Sequence, residues 1–159
     1  MLYISRADAV AAFAASDDDV DESHIFQGDI FHSVTFVAPG HDDTVLAPGI
    51  VLSHDCEYTK ARRRPTEYPL IVAPLRELAA FPKDQAELIR SNRLRYLLHL
   101  PIEGPVETEQ AADLRLMQPV LAAELQQYQY LTSASETLKR RIRAKVVEFI
   151  TRELTLDEG

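Results

Sequence analysis

The sequence predicts an α+β protein that is mainly β, with a small antiparallel β-barrel or strongly curved sheet between a short N-terminal helix and a C-terminal amphipathic helix. Two observations support this fold class. Between residues 28 and 120, strand-like segments follow one another without the regular intervening helices of a parallel sheet. In the last segment, apolar residues recur at helical spacing. The length of 159 residues suits a single domain, 1–159.

Composition limits the class of protein. Apolar residues make up 46% and charged residues 26%, as in ordinary globular domains. No apolar run approaches the roughly 20 residues of a membrane helix, and the N-terminus does not resemble a signal peptide. The single cysteine excludes an internal disulfide, which suits a reducing compartment. We therefore expect a cytoplasmic protein with no membrane partner.

The charge is unevenly distributed along the chain. A formal net charge of −8 argues against nucleic-acid binding. Five of the acids, however, lie within residues 17–22, and the remaining 20 acids face 17 basic residues. Basic residues gather at Lys60–Arg64 and at Lys139–Lys145. A local basic surface is therefore compatible with the negative net charge.

The N-terminal region, residues 1–22, is predicted to be a helix followed by a loop. Ser5 is a suitable N-cap for the alanine-rich segment 6–15, which predicts a short helix. The acidic run from Asp17 to Glu22 cannot pack into a core, so we expect a solvated loop.

Residues 27–131 contain the predicted strands. Asp29–Val37 is rich in β-branched and aromatic residues and ends at a Pro-Gly turn signal. Gly49–Ser53 is an apolar run typical of a strand that is buried on both faces. Tyr68–Pro74 has prolines at positions that suit the ends of a strand. Further segments with strand character lie at 45–46, 93–100, 113–120 and 128–131, and a surface helix is predicted at 83–92.

Residues 133–155 carry the clearest pattern. Ser133 and Glu136 have the spacing of a capping box, which predicts the start of a helix. The apolar positions of this helix share one face, and the basic positions lie mainly on the other. The apolar set is Leu138, Ile142, Val146, Phe149 and Ile150, and the basic set is Arg140, Arg141, Lys145 and Arg152.

Three motifs in the predicted sheet resemble the PemK/MazF family of toxins. Gln27–Ile30 is similar to the Gly-Asp-Ile/Val that opens the first strand of that family. Pro48–Ser53 resembles its Arg-Pro-x-Leu-Val-Leu-Ser strand, and Ile71–Leu75 resembles its Val-x-Ala-Pro-Ile-Thr strand. Arg115–Val120 is loosely similar to a later strand, so the resemblance covers about residues 27–120.

This resemblance implies an SH3-like antiparallel β-barrel and an association with RNA, since members of the family are endoribonuclease toxins. Two departures concern the catalytic groups. Ala47 occupies the position of the family's catalytic arginine, and Arg76 occupies the position of its catalytic threonine. The resemblance therefore leaves open whether this chain is an endoribonuclease or a degenerate relative that binds without cleaving.

The candidate catalytic residues are His54, Asp55, Cys56 and Glu57, which follow a predicted buried strand. In an extended chain, His54 and Cys56 point to one side, where an imidazolium lowers the pKa of a thiol. Alternatively, His54 and a carboxylate bind a divalent metal with a distant ligand, or the cysteine is a core residue in an ordinary turn. For the metal alternative, the candidate distant ligands are His24, His32, His41 and His99, none of which has a diagnostic spacing. We therefore predict no cofactor and no metal.

The candidate ligand-binding residues are Arg62, Arg63, Arg64 and Arg76. We expect a basic loop ended by Pro65, suited to charge-assisted contacts with phosphates. Nearby tyrosines at 58, 68 and 96 would add stacking on bases if they share that surface. RNA is the leading predicted partner. The alternative is a non-catalytic protein-interaction module with a protein partner, or a homodimer.

Overall fold

The computed structural model describes residues 1–14, 20–40 and 42–156, although the side chains of 14, 56, 59, 60 and 152–156 are excluded. The described strands are β1 (Tyr3–Ile4), β2 (Ile30–Val37), β3 (Thr44–Val51), β4 (Pro69–Glu77), β5 (Leu97–Leu100), β6 (Gln110–Asp113), β7 (Gln118–Leu121) and β8 (Tyr130–Ala134). The described α-helices are α1 (Arg6–Ala14), α2 (Asp55–Arg63), α3 (Lys83–Arg90), α4 (Ala122–Leu125) and α5 (Glu136–Leu156). Short 3₁₀ turns lie at Leu78–Ala80 and Leu114–Leu116.

All described strand pairs are antiparallel, which confirms the predicted α+β, mainly β class. The strand order is β1-β8-β2-β3-β4-β6-β5, and β7 also pairs with β4. The long strand β4 connects two parts of the sheet, because its first six residues pair with β7 and β3 and its last three residues pair with β6. The pairings form an open path, so closure into a barrel stays a prediction.

The N-terminal helix begins where the sequence predicts. Ser5 caps α1, since its Oγ accepts a hydrogen bond from the backbone N–H of Asp8 (3.1 Å). Of the acidic run, residues 17–19 lie outside the described residues, whereas Asp21 and Glu22 are exposed.

The segment after β3 differs from its prediction. We expected an extended strand end and then a loop, but Asp55–Arg63 forms helix α2. The acids in its first turn and the arginine at its end complement the helix dipole, and Tyr58 and Ala61 bury one face at i, i+3 spacing. The extended arrangement predicted for His54 and Cys56 is therefore wrong. The side chain of Cys56 itself lies outside the described residues.

Helix α5 packs its apolar stripe on the sheet, but two residues differ from the predicted pattern of burial. Leu138 and Ile142 are fully buried, and Val146 and Phe149 pack against the same cluster. Ile150, however, is 45% exposed, and Lys145 is buried with its Nζ donating to Asn92 Oδ1 (2.6 Å). A long side chain can reach a polar partner from a position that the helical pattern assigns to solvent.

The predicted capping box is also wrong. Ser133 lies in β8, and the N–H of Leu138 donates instead to Ser135 Oγ (3.4 Å). The helix starts at Glu136 because Ser135 is the hydroxyl next to the first turn. Because Ser133 does not cap the helix, its hydroxyl donates instead to the buried Asp29 carboxylate.

Apolar residues on both faces of the central strands form separate clusters. Ile30 and Ile50 face the cluster beneath α5, whereas Phe31 and Val51 face the cluster that contains Tyr58 of α2. Neighbouring residues in a strand point to opposite faces, so each of these strands is covered on both sides. The predicted strand Gly49–Ser53 is therefore confirmed for residues 49–51, because β3 ends at Val51.

Gly28 permits the close approach of β8 just before β2. It has a φ of +84°, and a Cβ at this position would lie 2.3 Å from the Cβ of Ala134. Gly40 in the β2–β3 turn has a φ of +73°, but apart from its chain neighbours no described residue has an atom within 4 Å of its Cβ position.

Gly28→Ala and Gly40→Ala therefore form a matched pair. Both variants place a side chain in the left-handed region, which costs about 1–2 kcal/mol. We expect Gly40→Ala to lose only that amount of unfolding free energy, and Gly28→Ala to lose at least twice as much because it also displaces β8. Denaturant unfolding measures both losses, and equal losses would contradict the packing described here.

Candidate functional site

A buried carboxylate lies where β1, β2, β8 and the two terminal helices meet. Asp29 precedes β2, and its side chain has no exposed surface. Its Oδ2 accepts a hydrogen bond from the N–H of Phe26 (2.9 Å), and its Oδ1 accepts one from Ser133 Oγ (2.7 Å). The Ser133 hydroxyl also lies 2.7 Å from the hydroxyl of Tyr130. These contacts tie the start of β2 to β8.

Arg6 joins α1 to the same group. One guanidinium nitrogen lies 3.8 Å from Asp29 Oδ2, and the guanidinium carbon lies 4.0 Å from the ring centre of Tyr130. Another nitrogen donates to the backbone carbonyl of Glu22 (2.6 Å). The cation therefore holds α1 against both the carboxylate and an aromatic face.

Burial dominates the ionisation of Asp29. It raises the pKa of this carboxyl to about 7, although the Phe26 N–H, the Ser133 hydroxyl, Arg6 and Lys139 all act to lower it. Burial also raises the pKa of Tyr130, and the negative charge of Asp29 adds to that effect. The cluster thus contains a carboxyl that titrates near neutral pH.

Asp55, a predicted catalytic residue, forms a second buried contact. Its Oδ2 accepts a hydrogen bond from Lys139 Nζ (2.9 Å), and its Oδ1 accepts one from the N–H of Gln27 (2.6 Å). Both charged side chains are nearly nine-tenths buried. The Gln27 side chain donates to the carbonyl of Leu52 (2.8 Å). The start of α2 is therefore attached to α5 and to the segment before Asp29.

The remaining predicted catalytic residues lie around the first turn of α2. His54 is exposed, and its carbonyl accepts a hydrogen bond from the N–H of Glu57 (2.9 Å). Glu57 Oε2 accepts a hydrogen bond from Tyr68 Oη (2.6 Å). The hydrogen bonds described for Asp55 and Glu57 thus go to different partners. Among the described residues, no group of three or more His, Cys, Asp or Glu side chains is arranged to hold a metal ion.

The structure places three of the four predicted arginines together. Arg62 and Arg63 end α2, Arg64 follows directly, and all three are exposed. Arg64 lies 3.8 Å from Glu67, but both side chains are largely in solvent. A solvent-exposed pair of this kind contributes little and leaves the cation able to exchange partners.

Arg76 lies elsewhere. It stacks over the ring of Phe81 at 4.4 Å, near the end of β4. The N–H of Tyr68, just before β4, donates to the carbonyl of Arg64 (2.9 Å), and Arg76 is eight residues further on. At ~3.3 Å per residue, that separation is roughly 26 Å. Arg76 does not belong to the same surface as the other three.

The tyrosines are also separated. Tyr58 is buried, and its hydroxyl donates to the carbonyl of Ser23 (3.0 Å). Tyr96 lies beneath the guanidinium of Arg115, whose carbon is 4.0 Å from the ring centre. We therefore find no shared stacking surface formed by the predicted set among the described residues.

No protein-family model matches the chain, and no curated protein matches its sequence. Over the described residues, every helix is too short or too polar to cross a bilayer.

Sequence reasoning missed the Asp29 cluster. The sequence pattern predicts Asp29 in the first strand, Ser133 as a helix cap and Arg6 in a short helix. One signal was present: an acid between Gly28 and Ile30, with apolar or aromatic residues on both sides, lies in a segment that must be buried. A buried acid requires partners, and these partners come from distant parts of the chain.

The pair of Asp55 and Lys139 gives a direct test. Asp55→Ala leaves a buried ammonium group and a backbone N–H without their acceptor, so we expect a loss of about 3 kcal/mol or more in unfolding free energy. Asp84→Ala removes an equal charge from the first turn of α3, where the side chain is exposed, and is expected to cost about 0.5 kcal/mol or less.

The double variant Asp55→Ala/Lys139→Met removes the buried ammonium group as well. It should recover part of the stability that Asp55→Ala loses. Denaturant unfolding of the three variants checks this expectation, and an Asp55→Ala loss no larger than that of Asp84→Ala would show that the pair is not buried as described.

Proposed function

We propose that this chain is a PemK/MazF-like protein that binds RNA, or another phosphate-bearing ligand, through the arginine cluster Arg62–Arg64. The observation that carries the proposal is the exposure of three consecutive arginines at the end of one anchored helix. Guanidinium groups form paired, charge-assisted hydrogen bonds with phosphate oxygens.

The geometry of α2 supports this proposal. Successive helical residues are about 100° apart, so Arg62 and Arg63 point in different directions at the end of the helix, and Arg64 follows it directly. The start of the helix is held by Asp55 and Lys139, and Tyr58 and Ala61 are buried in the core. The cluster is therefore displayed from a rigid support, which reduces the ordering cost of binding.

The contacts favour binding over cleavage. The Asp55 carboxylate is paired with Lys139 at the opposite end of α2 from the arginine cluster, and Glu57 Oε2 accepts a hydrogen bond from Tyr68. Ala47 at the position of the family's catalytic arginine agrees with this view. We propose an RNA-binding protein that does not depend on the family's own catalytic groups.

The alternative is a non-catalytic protein-interaction module, and one observation favours it. The β2–β3 hairpin exposes three large apolar side chains close to its tip: Val37, Val45 and Leu46. The strand register puts Val37 and Leu46 on one face of the hairpin, and contiguous exposed apolar residues mark protein contacts. If the protein shows no RNA binding at low salt, this hypothesis replaces the first.

The charge-matched test uses two triple variants. Replacing Arg62, Arg63 and Arg64 with alanine should weaken binding to single-stranded RNA of any sequence. It should also reduce the slope of log K against log salt by about 2, since each phosphate contact on a single strand contributes about 0.7. Replacing the exposed cations Lys83, Arg93 and Arg140 with alanine removes the same charge from other surfaces.

We expect the second triple variant to retain the wild-type salt slope. Binding is followed by fluorescence anisotropy of a labelled oligonucleotide over a range of salt concentrations. Equal slopes for both triple variants would contradict a binding role for the arginine cluster. Thermal unfolding is the control, because arginines at the end of α2 also interact favourably with its helix dipole.

A further inference from the structure

The first part of β3 has an unpaired outer edge, which we call the open edge and which comprises Thr44–Pro48. On its inner side β3 pairs with β2, but on its outer side it pairs with β4 only from Gly49 to Val51. No other described strand pairs with β3. The edge of a strand presents N–H and C=O groups that are able to pair with another chain.

The hydrogen bonds of β2 indicate which of its backbone groups point away from β3. The N–H of Val37 donates to Gln118 Oε1 (2.8 Å), and the carbonyl of Val37 accepts a hydrogen bond from Gln118 Nε2 (2.7 Å). The N–H of Thr35 donates to the hydroxyl of Tyr128 (3.3 Å). The backbone groups of Val37 and Thr35 are therefore not bonded to β3.

The strand register extends this result to the open edge. Val37 lies opposite Thr44, and Thr35 lies opposite Leu46. In an antiparallel pair, opposite residues alternate between those that exchange hydrogen bonds and those whose backbone groups point outward on both strands. The N–H and C=O groups of Thr44 and Leu46 therefore point outward, where no described strand pairs with them.

The open edge has little of the protection that strand edges usually have. Edges are commonly blocked by lysines, prolines or β-bulges. The open edge has no charged residue, Pro48 blocks only its last position, and the register shift of this hairpin lies between Phe31 and Val34. Val45 and Leu46 are 51% and 69% exposed. Outward backbone groups and exposed apolar side chains together form a surface suited to another strand.

The open edge is complementary to a second copy of itself. When two copies align antiparallel with Val45 opposite Val45, Thr44 of each copy lies opposite Leu46 of the other. Both of these pairs have outward backbone groups, so donors meet acceptors in each pair. The two Val45 side chains then meet in a pair that exchanges no hydrogen bonds, in which side chains approach most closely.

The charges next to the open edge also fit the antiparallel alignment. Asp42 and Asp43 precede the open edge and are exposed. In the alignment centred on Val45, they lie opposite Pro48 and Ala47 of the other copy, which carry no charge. A parallel alignment in register would place the same acids side by side, and like charges in that position are destabilising. The charge pattern therefore favours the antiparallel pair.

We infer that this chain forms a reversible dimer through antiparallel pairing of two open edges, centred on Val45. The β2–β3 hairpins of the two copies then form one continuous sheet. Five residues span roughly 17 Å, so the contact is smaller than the about 800 Å² per partner of a stable complex and forms at high protein concentration. The dimer does not depend on RNA binding, because the arginine cluster lies on α2.

Leu46→Lys and Val147→Lys are the matched variants for dimerisation. Both place a lysine at an exposed apolar position, since Leu46 is 69% and Val147 is 64% exposed, but Val147 lies on α5. Sedimentation velocity is measured at increasing protein concentration up to the millimolar range. Wild type and Val147→Lys should dimerise equally, whereas Leu46→Lys should weaken the dimer about tenfold or more because the charge enters the interface twice.

Val45→Cys and Thr44→Cys test the register of the pair. In the dimer, the two Cα atoms of residue 45 are about 4.5 Å apart, which suits a disulfide, whereas those of residue 44 are roughly 9 Å apart, which is too far. Under mild oxidation, Val45→Cys should form a disulfide-linked dimer. Thr44→Cys should form no more linked dimer than wild type, which also contains Cys56.

Three results would overturn the inference. The first is a wild-type protein that stays monomeric at every concentration, and the second is equal weakening of the dimer by the two lysine variants. The third is equal linking of the two cysteine variants, since the pair would then not be centred on Val45. RNA binding is tested separately by the salt slopes of the arginine variants, so the failure of one proposal leaves the other standing.

Discussion

The hydrogen bonds of the buried Asp29 carboxylate are the interaction on which the rest of the structure depends. Ser133 approaches this group from β8, the N–H of Phe26 approaches it from the preceding loop, and Arg6 approaches it from α1. A carboxylate without exposed surface is stable only when such partners surround it. The group therefore couples the two ends of the chain to the start of β2, and Gly28 supplies the space for β8 to come close.

The same junction also supports helix α2, which carries the candidate site. Lys139 of α5 binds Asp55, so the helix that is attached to β8 also holds the first turn of α2. The arginine cluster lies at the other end of α2. Arg6 is part of the same junction, since one of its guanidinium nitrogens lies 3.8 Å from Asp29 Oδ2 and another donates to the carbonyl of Glu22.

Local patterns predicted the classes of element well, because they depend on neighbouring residues. The apolar run at Gly49–Ser53 and the helical spacing of Leu138 and Ile142 are examples. Contacts between distant residues were not accessible in this way. Ser133 fits a helix cap locally, but a carboxylate 104 positions away determines its role. The segment after β3 is rich in charge, and only the docking of Tyr58 makes its helix favourable. The position of Arg76 could not be predicted from local patterns either, because β4 runs away from the arginine cluster and places Arg76 on another surface.

The most direct test is the unfolding free energy of wild type and Asp29→Asn as a function of pH. Asparagine keeps the shape and can still bond the Phe26 N–H and Ser133. The unfolded carboxyl loses its proton near pH 4, whereas the folded one keeps it up to about pH 7. Wild type should therefore lose stability relative to Asp29→Asn as the pH rises through this window, by on the order of 4 kcal/mol at most. A difference between the two proteins that does not change with pH would contradict the account.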